Sequence, residues 1–105
     1  MQKYIINKMT KYYKINDLLT NTVVATQVKV RGWVRTFRNN QFIALNDGST
    51  LNNIQCVVDF ENTPESELKR ITTGAAIFIE GELKASQGAG QKVEVQVNKF
   101  HLIRC

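Results

Sequence analysis

The chain has 105 residues, the size of one domain with a modest hydrophobic core. Its 43% hydrophobic and 22% charged residues are ordinary for a globular domain, and no apolar run is long enough to span a membrane. Residues 1–52 carry eight Lys and Arg against two acids, whereas residues 53–105 carry six against seven. The net charge of +5 therefore belongs to the N-terminal half, where we expect a polyanionic partner to bind.

Residue types that support catalysis or metal binding are scarce. Cys56 and Cys105 form no C-x-x-C pair and cannot complete a zinc site with the single His. Cys56 alternates with apolar residues and is predicted to be a core residue, so nothing requires an oxidising compartment. The segment G-A-G-Q-K at 88–92 lacks the spacing of a phosphate-binding loop. We expect no catalytic residue, metal or cofactor in this chain and, with no secretory leader, a cytoplasmic location.

The N-terminal residues predict an extension of the main domain. Residues 1–14 show no clear period, and their lysines either belong to the binding surface or form a solvated tail. Asn16 suits the N-cap of a short helix, with Asp17 in its first turn. We therefore expect an extension with a short helix over residues 1–25 and one domain over residues 26–105.

Strand-like alternation begins at Thr26. A long first strand is followed by a turn over residues 38–41, a second strand over 42–45, a hairpin signal N-D-G-S at 46–49 and a third strand over 54–58. The glycine within the first strand, Gly32, predicts a bulge or a sharp bend. The residues expected to face inward are Val28, Val30, Gly32, Val34, Ile43, Leu45, Ile54, Cys56 and Val58. Those expected to face outward are Lys29, Arg31, Trp33, Arg35, Phe42, Ala44 and Gln55.

The period then changes to that of a helix. Thr63 and Pro64 predict a helix start, and Gly74 predicts its end about three turns later. Two further strands follow, separated by a loop over residues 86–91. Their inward residues are predicted to be Ile77, Ile79, Gly81, Leu83, Val93, Val95 and Val97, with Phe100 and Leu102 at the end of the last strand.

Three strands, one helix and two strands, with glycines inside strands, indicate an all-β fold. The order is that of a five-stranded Greek-key OB-fold barrel whose helix, between the third and fourth strands, closes one end. An unrelated α+β sandwich accommodates the same strand count and stays open as the alternative.

The outward positions predict a surface for single-stranded nucleic acid. Such surfaces combine positive charge with aromatic side chains on which bases stack. Phe42 is the main candidate for stacking, and Gln55 offers both a donor and an acceptor to a base edge. Arg31, Arg35 and Arg38 can bind phosphate or a base. Trp33 either joins this surface or packs under the N-terminal segment.

Several motifs together resemble a known family. They are V-R-G-W-V-R-T-F-R at 30–38, F-I-A-L-N-D-G-S at 42–49, N-I-Q at 53–55, T-T-G-A-A at 72–76 and G-A-G-Q-K-V-E-V-Q-V at 88–97. This combination resembles the N-terminal anticodon-binding domain of class IIb aminoacyl-tRNA synthetases, and most of all that of asparaginyl-tRNA synthetases. The resemblance covers residues 26–103. Aspartyl relatives carry R-R-R-D where this chain has R-T-F-R-N, which favours asparagine, while an aspartyl- or lysyl-type enzyme stays open.

The resemblance implies roles for particular residues. In this family the phenylalanine at the position of Phe42 stacks on the middle anticodon base, a uridine, and the glutamine at Gln55 hydrogen-bonds that base. The arginine at Arg38 assists. The residues nearest the first anticodon base are implied to be Glu94, Gly88, Gly90 and Gln91.

The resemblance also implies partners. We expect the anticodon loop of tRNA, in particular tRNA-Asn, as the ligand, and no membrane partner. A catalytic domain using ATP and Mg²⁺ is expected elsewhere in the full-length enzyme, which is implied to be a homodimer, so this chain itself activates no amino acid. A general single-strand-binding module and a protein-docking domain are the alternatives.

Overall fold

The five strands form a closed barrel. The computed structural model describes residues 12–20, 26–85 and 93–103. The strands follow one another around the barrel in the order β1-β2-β3-β5-β4, with β3 and β5 parallel and the other neighbours antiparallel. The predicted OB-type barrel is thus confirmed. The elements are α1 (Ile15–Thr20), β1 (Thr26–Arg38), β2 (Phe42–Asn46), β3 (Ile54–Val57), a 3-10 turn (Phe60–Asn62), α2 (Glu65–Leu68), β4 (Ala76–Ala85) and β5 (Val93–Leu102).

The barrel interior is aliphatic. A strand of alternating residues buries the side chains of one face only. Removing each Val, Ile or Leu side chain on that face from water stabilises the fold by about 1.5–3 kcal/mol. Burial also raises the pKa of the Cys56 thiol, with a smaller contribution from the charge of Glu94, so Cys56 is the inert core residue that the sequence predicts. The buried hydrophobic residues of the strands, with Val58 just after β3, are Val28, Val30, Val34, Ile43, Leu45, Ile54, Cys56, Val58, Ile77, Ile79, Leu83, Val93 and Val95.

Helical and turn segments cover the open ends of this interior. Ile15 and Leu18 of α1, together with Leu68 and Ile71 from the connection between β3 and β4, belong to the same buried cluster. In the described ranges, no helix is long and apolar enough to cross a membrane.

The first strand contains a bulge that changes which residues face outward. Val34 pairs with Leu45 and Thr36 with Ala44, so Arg35 has no partner on β2. One extra residue shifts the alternation by one position. Phe37 therefore packs against the core, and the side chain of Arg38 turns to the outer face.

The bulge lies at Arg35 rather than at Gly32, and Gly32 fits the other prediction for this position, a sharp bend of the strand. β1 changes its partner from β4 to β2 at Trp33, next to Gly32. A Cβ atom on Gly32 would lie 2.3 Å from the carbonyl oxygen of Asn46. Only glycine allows the two backbones to approach this closely at the corner of the barrel.

A turn over residues 39–41 joins β1 to β2. Asn39 and Asn40 have φ values of 57° and 55°, and the N–H of Gln41 donates to the carbonyl of Arg38 at 3.0 Å. Two consecutive positive φ values are typical of the type I′ hairpin, which asparagine tolerates. The predicted turn is confirmed, and it places the last residue of β1, Arg38, opposite the first residue of β2, Phe42.

The predicted three-turn helix is only one turn long. Thr63 has an extended backbone and its hydroxyl donates to the carbonyl of Asp59, so Pro64 occupies the cap position instead. After Leu68 the chain leaves the helix, because Gly74 and Ala75 form backbone hydrogen bonds with Val34 at 2.7 and 2.9 Å. These bonds to β1 require a non-helical backbone.

The first helix is capped from a distant loop. Asn16 was predicted to cap α1, but the helix begins at Ile15, whose N–H donates to Asp47 Oδ2 at 2.9 Å. The N–H of Asn16 donates to Ser49 Oγ at 3.0 Å, and Ser49 in turn donates to Asp47 Oδ1 from its N–H and its hydroxyl. The loop between β2 and β3 thus satisfies amides that a helix start leaves unpaired.

This contact predicts a pH-dependent stability. Burial opposes ionisation of Asp47, but hydrogen bonds from Ser49 and Ile15 outweigh it and lower the pKa of this carboxyl below its usual value. A lowered pKa contributes stability above the unfolded-state pKa, and this contribution is lost as the pH falls through the folded-state pKa. We expect Asp47→Asn to lower the free energy of unfolding by about 1 kcal/mol at neutral pH, and by much less at an acidic pH below the folded-state pKa of Asp47. Urea denaturation at the two pH values measures this, and an equal loss at both would contradict it.

Candidate nucleic-acid interface

Phe42 and Arg38 form the centre of the outer face. They are paired across the hairpin, and the guanidinium carbon of Arg38 lies 5.9 Å from the centroid of the Phe42 ring. Phe42 is half-buried and Arg38 is exposed. Within the described residues, the only ion pairs join Arg70 to Glu67 and Lys84 to Glu82, so the charge of Arg38 is available to a ligand.

Gln55 lies beside this pair and is held by β5. It alternates with the buried residues of β3 and pairs with Ala44 on β2 and with Glu94 on β5. Gln55 Nε2 donates to Glu94 Oε1 at 3.2 Å, and Gln96 Nε2 donates to Glu94 Oε2 at 2.9 Å. The three half-buried side chains form a hydrogen-bonded row across the two parallel strands.

Two open depressions meet at these residues. One has a volume of about 520 Å³ and the other about 560 Å³, and Arg38, Phe42 and Gln55 line both. The first also has residues 51–53 of the β2–β3 loop in its wall, and the second has Glu94 and Gln96. A planar group stacked on Phe42 would therefore have space on both sides and a polar edge contact within reach.

A buried asparagine shapes the wall of the first depression. Asn46, only 5% exposed, accepts from the N–H of Gly48 at 2.7 Å and donates to the carbonyls of Thr50 and Asn52, both at 3.1 Å. It also donates to Asn53 Oδ1 at 3.0 Å. The sequence indicates only a turn at this residue, because nothing local shows that its amide is buried.

Leu51, at the tip of the same loop, was not singled out from the sequence. It is 99% exposed and lines the first depression beside Phe42. The one sequence feature that could have identified it is that a leucine lies within a polar loop. This feature is weak, because single exposed apolar residues are common.

Two of the predicted arginines do not line the depressions around Phe42. Arg31 pairs with Phe78 on β4, and its guanidinium carbon lies 4.7 Å from the ring centroid of Tyr12. Trp33, 45% exposed, lines a separate depression with Arg31 and Tyr12. Arg35 is the unpaired bulge residue and lines neither depression beside Phe42.

The structure thus brings together four of the predicted site residues: Arg38, Phe42, Gln55 and Glu94. The others on the loop before β5, Gly88, Gly90 and Gln91, lie outside the described residues, as does most of the basic N-terminal segment. The assembled group offers an aromatic platform, a cation that has no ion-pair partner among the described residues, and a hydrogen-bonding amide within one surface. These are the elements with which proteins hold single-stranded nucleic acid.

Curated relatives share the sequence of this barrel. Asparagine–tRNA ligase of Bacteroides fragilis is 50% identical over 93 residues, which are 86% of this chain and 20% of the relative. The enzyme of the same name from Phocaeicola vulgatus is 52% identical over 93 residues, with the same coverage. The chain therefore spans about a fifth of the length of these relatives.

Solved structures share the fold. The asparaginyl-tRNA synthetase of Pyrococcus horikoshii in complex with asparaginyl-adenylate superposes with a TM-score of 0.72 at 22% identity, covering 88% of this chain and 22% of that one. An OBody bound to hen egg-white lysozyme gives a TM-score of 0.68 at 17% identity and covers 81% of this chain and 86% of that one.

The family model confirms the resemblance found in the motifs. The tRNA anticodon family of OB-fold nucleic acid binding domains matches residues 28–103, from the buried part of β1 to the last described residue. The matched range contains all five strands except the first two residues of β1. The chain belongs to the tRNA anticodon family of OB-fold nucleic acid binding domains.

Proposed function

We propose that the barrel binds the anticodon loop of tRNA-Asn as a domain of an asparagine–tRNA ligase. The observation that carries this proposal is the meeting of Phe42, Arg38 and Gln55 between two open depressions. The names of the relatives at about 50% identity support the choice of asparagine. Activation of the amino acid, with ATP and Mg²⁺, and dimerisation would belong to the remaining four-fifths of such a ligase.

Each residue has a distinct task in this proposal. The middle anticodon base stacks on the open side of the Phe42 ring, which every base can do because every base has a π-face. Arg38 neutralises a phosphate next to that base or stacks on it as a planar group. Gln55 lines both depressions and supplies a donor and an acceptor at the edge of the base, so we assign to it the task of distinguishing one base from another.

Binding to three RNA stem-loops tests the proposal against its alternatives. The loops carry the anticodons G-U-U, G-U-C and a scrambled triplet, and the dissociation constants are measured at one stated salt concentration, because phosphate contacts make affinity salt-dependent. We expect the affinity to be highest for the G-U-U loop, lower for the G-U-C loop and lowest for the scrambled loop. Preference for G-U-C would indicate an aspartyl-type enzyme, equal affinities a general single-strand-binding module, and no binding at low salt a protein-docking domain.

Gln55→Ala separates base reading from general affinity. Stacking on Phe42 and the charge of Arg38 persist in this variant, so we expect a loss of only a fewfold in affinity for the G-U-U loop. The preference for uridine at the middle position should fall by about tenfold, the value of one well-placed hydrogen bond. A variant that keeps the wild-type preference would show that another residue reads the base.

A further inference from the structure

A glutamine is by itself a poor discriminator between uridine and cytidine. The pairing edge of uridine presents an N–H donor at N3 and carbonyl acceptors, whereas that of cytidine presents an acceptor at N3 and an amino donor. A glutamine amide carries one acceptor and one donor group of nearly the same shape. Rotation of the amide by half a turn therefore allows Gln55 to match either base, unless a neighbour fixes its orientation.

Glu94 is the neighbour that fixes it. Glu94 Oε1 lies 3.2 Å from Gln55 Nε2. An ionised carboxylate only accepts hydrogen bonds, so the nitrogen must face Glu94 and the oxygen must face away from it. The reversed amide would place its oxygen against the carboxylate and lose a charge-assisted hydrogen bond.

Glu94 is itself held in place. Its second oxygen accepts from Gln96 Nε2 at 2.9 Å. The parallel register between β3 and β5 pairs Gln55 directly with Glu94, so the contact is set by the pairing of two strands. Both side chains are half-buried, which limits competition from water.

We propose that Glu94 is a positioning residue that locks the amide of Gln55 so that its oxygen accepts the N3–H of a uridine. The proposal rests on the proposed function. When the amide is held in this way, a cytidine at the middle position places its N3 lone pair against the side-chain oxygen of Gln55. Both atoms are hydrogen-bond acceptors, so no hydrogen bond forms between them. Discrimination between the two pyrimidines thus comes from a residue that does not itself touch the base.

Glu94→Gln is the first variant of the test. A glutamine at position 94 can accept or donate, so the amide of Gln55 is free to rotate. We measure dissociation constants for stem-loops that differ only in U or C at the middle anticodon position. For wild type we expect about a tenfold preference for U, and for Glu94→Gln a preference below about twofold, mainly because C binds more tightly.

Two controls separate the lock from the loss of a negative charge. Glu82→Gln removes one charge from the adjacent strand β4, next to Gln96, and should raise affinity for both loops equally. Glu94→Asp keeps the charge but is one methylene shorter, so it should lose the contact and the preference together.

The outcomes distinguish the lock from the function on which it rests. Failure of wild type to bind either loop better than a scrambled loop overturns the proposed function and the lock with it. If wild type prefers U, and Glu94→Gln or Glu94→Asp shows the same preference, the lock is overturned while the proposed function stands. A uridine preference lost in both Glu94 variants and kept in Glu82→Gln supports the lock.

Discussion

Phe42→Ala should weaken binding of the G-U-U stem-loop by about 1–3 kcal/mol, or roughly 5- to 150-fold in Kd. The phenyl ring is the only aromatic platform lining either depression beside Arg38 and Gln55 among the described residues. Alanine removes the stacking surface and leaves the cation and the amide in place. Because stacking does not depend on base identity, the loss should be similar for U and for C at the middle position.

A second phenylalanine provides the matched control. Phe60 is 41% exposed in the 3-10 turn and lines neither depression, so Phe60→Ala removes a ring of the same size without changing RNA affinity. Thermal denaturation of both variants shows that the barrel remains folded at the temperature of the binding measurement. A loss below a few tenths of a kcal/mol for Phe42→Ala, or an equal loss for Phe60→Ala, would remove Phe42 from the site.

Gly81→Ala should lower the free energy of unfolding by about 3 kcal/mol, the largest expected effect on stability. A Cβ at this position would lie 2.1 Å from the carbonyl oxygen of Gln96, a backbone atom that cannot move alone. The clash falls where the β4–β5 register shifts, with Gly81 opposite Val97 and Glu80 opposite Lys99. Since Gln96 also holds Glu94, displacement of β5 should loosen the row of Gln55, Glu94 and Gln96 as well.

Gly74→Ala separates this clash from the conformational freedom of glycine. Gly74 has φ +90°, but a Cβ there would meet no atom within 4 Å. Its replacement should cost only about 1 kcal/mol, from backbone strain. Urea denaturation of the two variants measures the difference, and a milder effect at Gly81 than at Gly74 would contradict the close approach of β4 and β5.

The barrel itself was predictable from the sequence because its signal is local. Alternation with a period of two identified every buried hydrophobic residue of the strands, and glycines at Gly32 and Gly81 indicated where strands bend. The bulge at Arg35 was not predictable, because an extra residue in one strand is defined only by its partner on β2. Because of this extra residue, Val34 and Phe37 both face the core, and Arg38 faces outward beside Phe42.

Contacts between distant parts of the chain were the main features that the sequence did not indicate. Asp47 caps α1 across 32 positions, and this made Asn16 unnecessary as a cap. The helix predicted from Thr63 to Gly74 was shortened because its last residues bind β1 instead. In both cases a correct local signal was overruled by hydrogen bonds whose partners are remote in sequence.

The candidate site was only partly predictable, because the pattern of one strand shows which side chains face outward but not which strand lies beside it. Phe42 and Gln55 were identified because each is an outward residue between inward ones on its own strand. The pairing of Gln55 with Glu94 could not be read from the sequence, because β3 and β5 are separated by β4 and meet only through the closed barrel. Arg31 was placed on the same surface by alternation alone, yet it lies on the wall formed by β1 and β4.

Photocrosslinking tests most directly whether the Phe42 face holds the middle base. A G-U-U stem-loop with 5-bromouridine at the middle position is bound to the chain, irradiated and digested, and the linked peptide is identified by mass spectrometry. A base stacked on Phe42 should crosslink to the peptide that contains this residue, and Phe42→Ala should abolish the crosslink. Crosslinking instead to the peptides of Tyr12 or Trp33, on the wall away from Phe42, would contradict the proposed site.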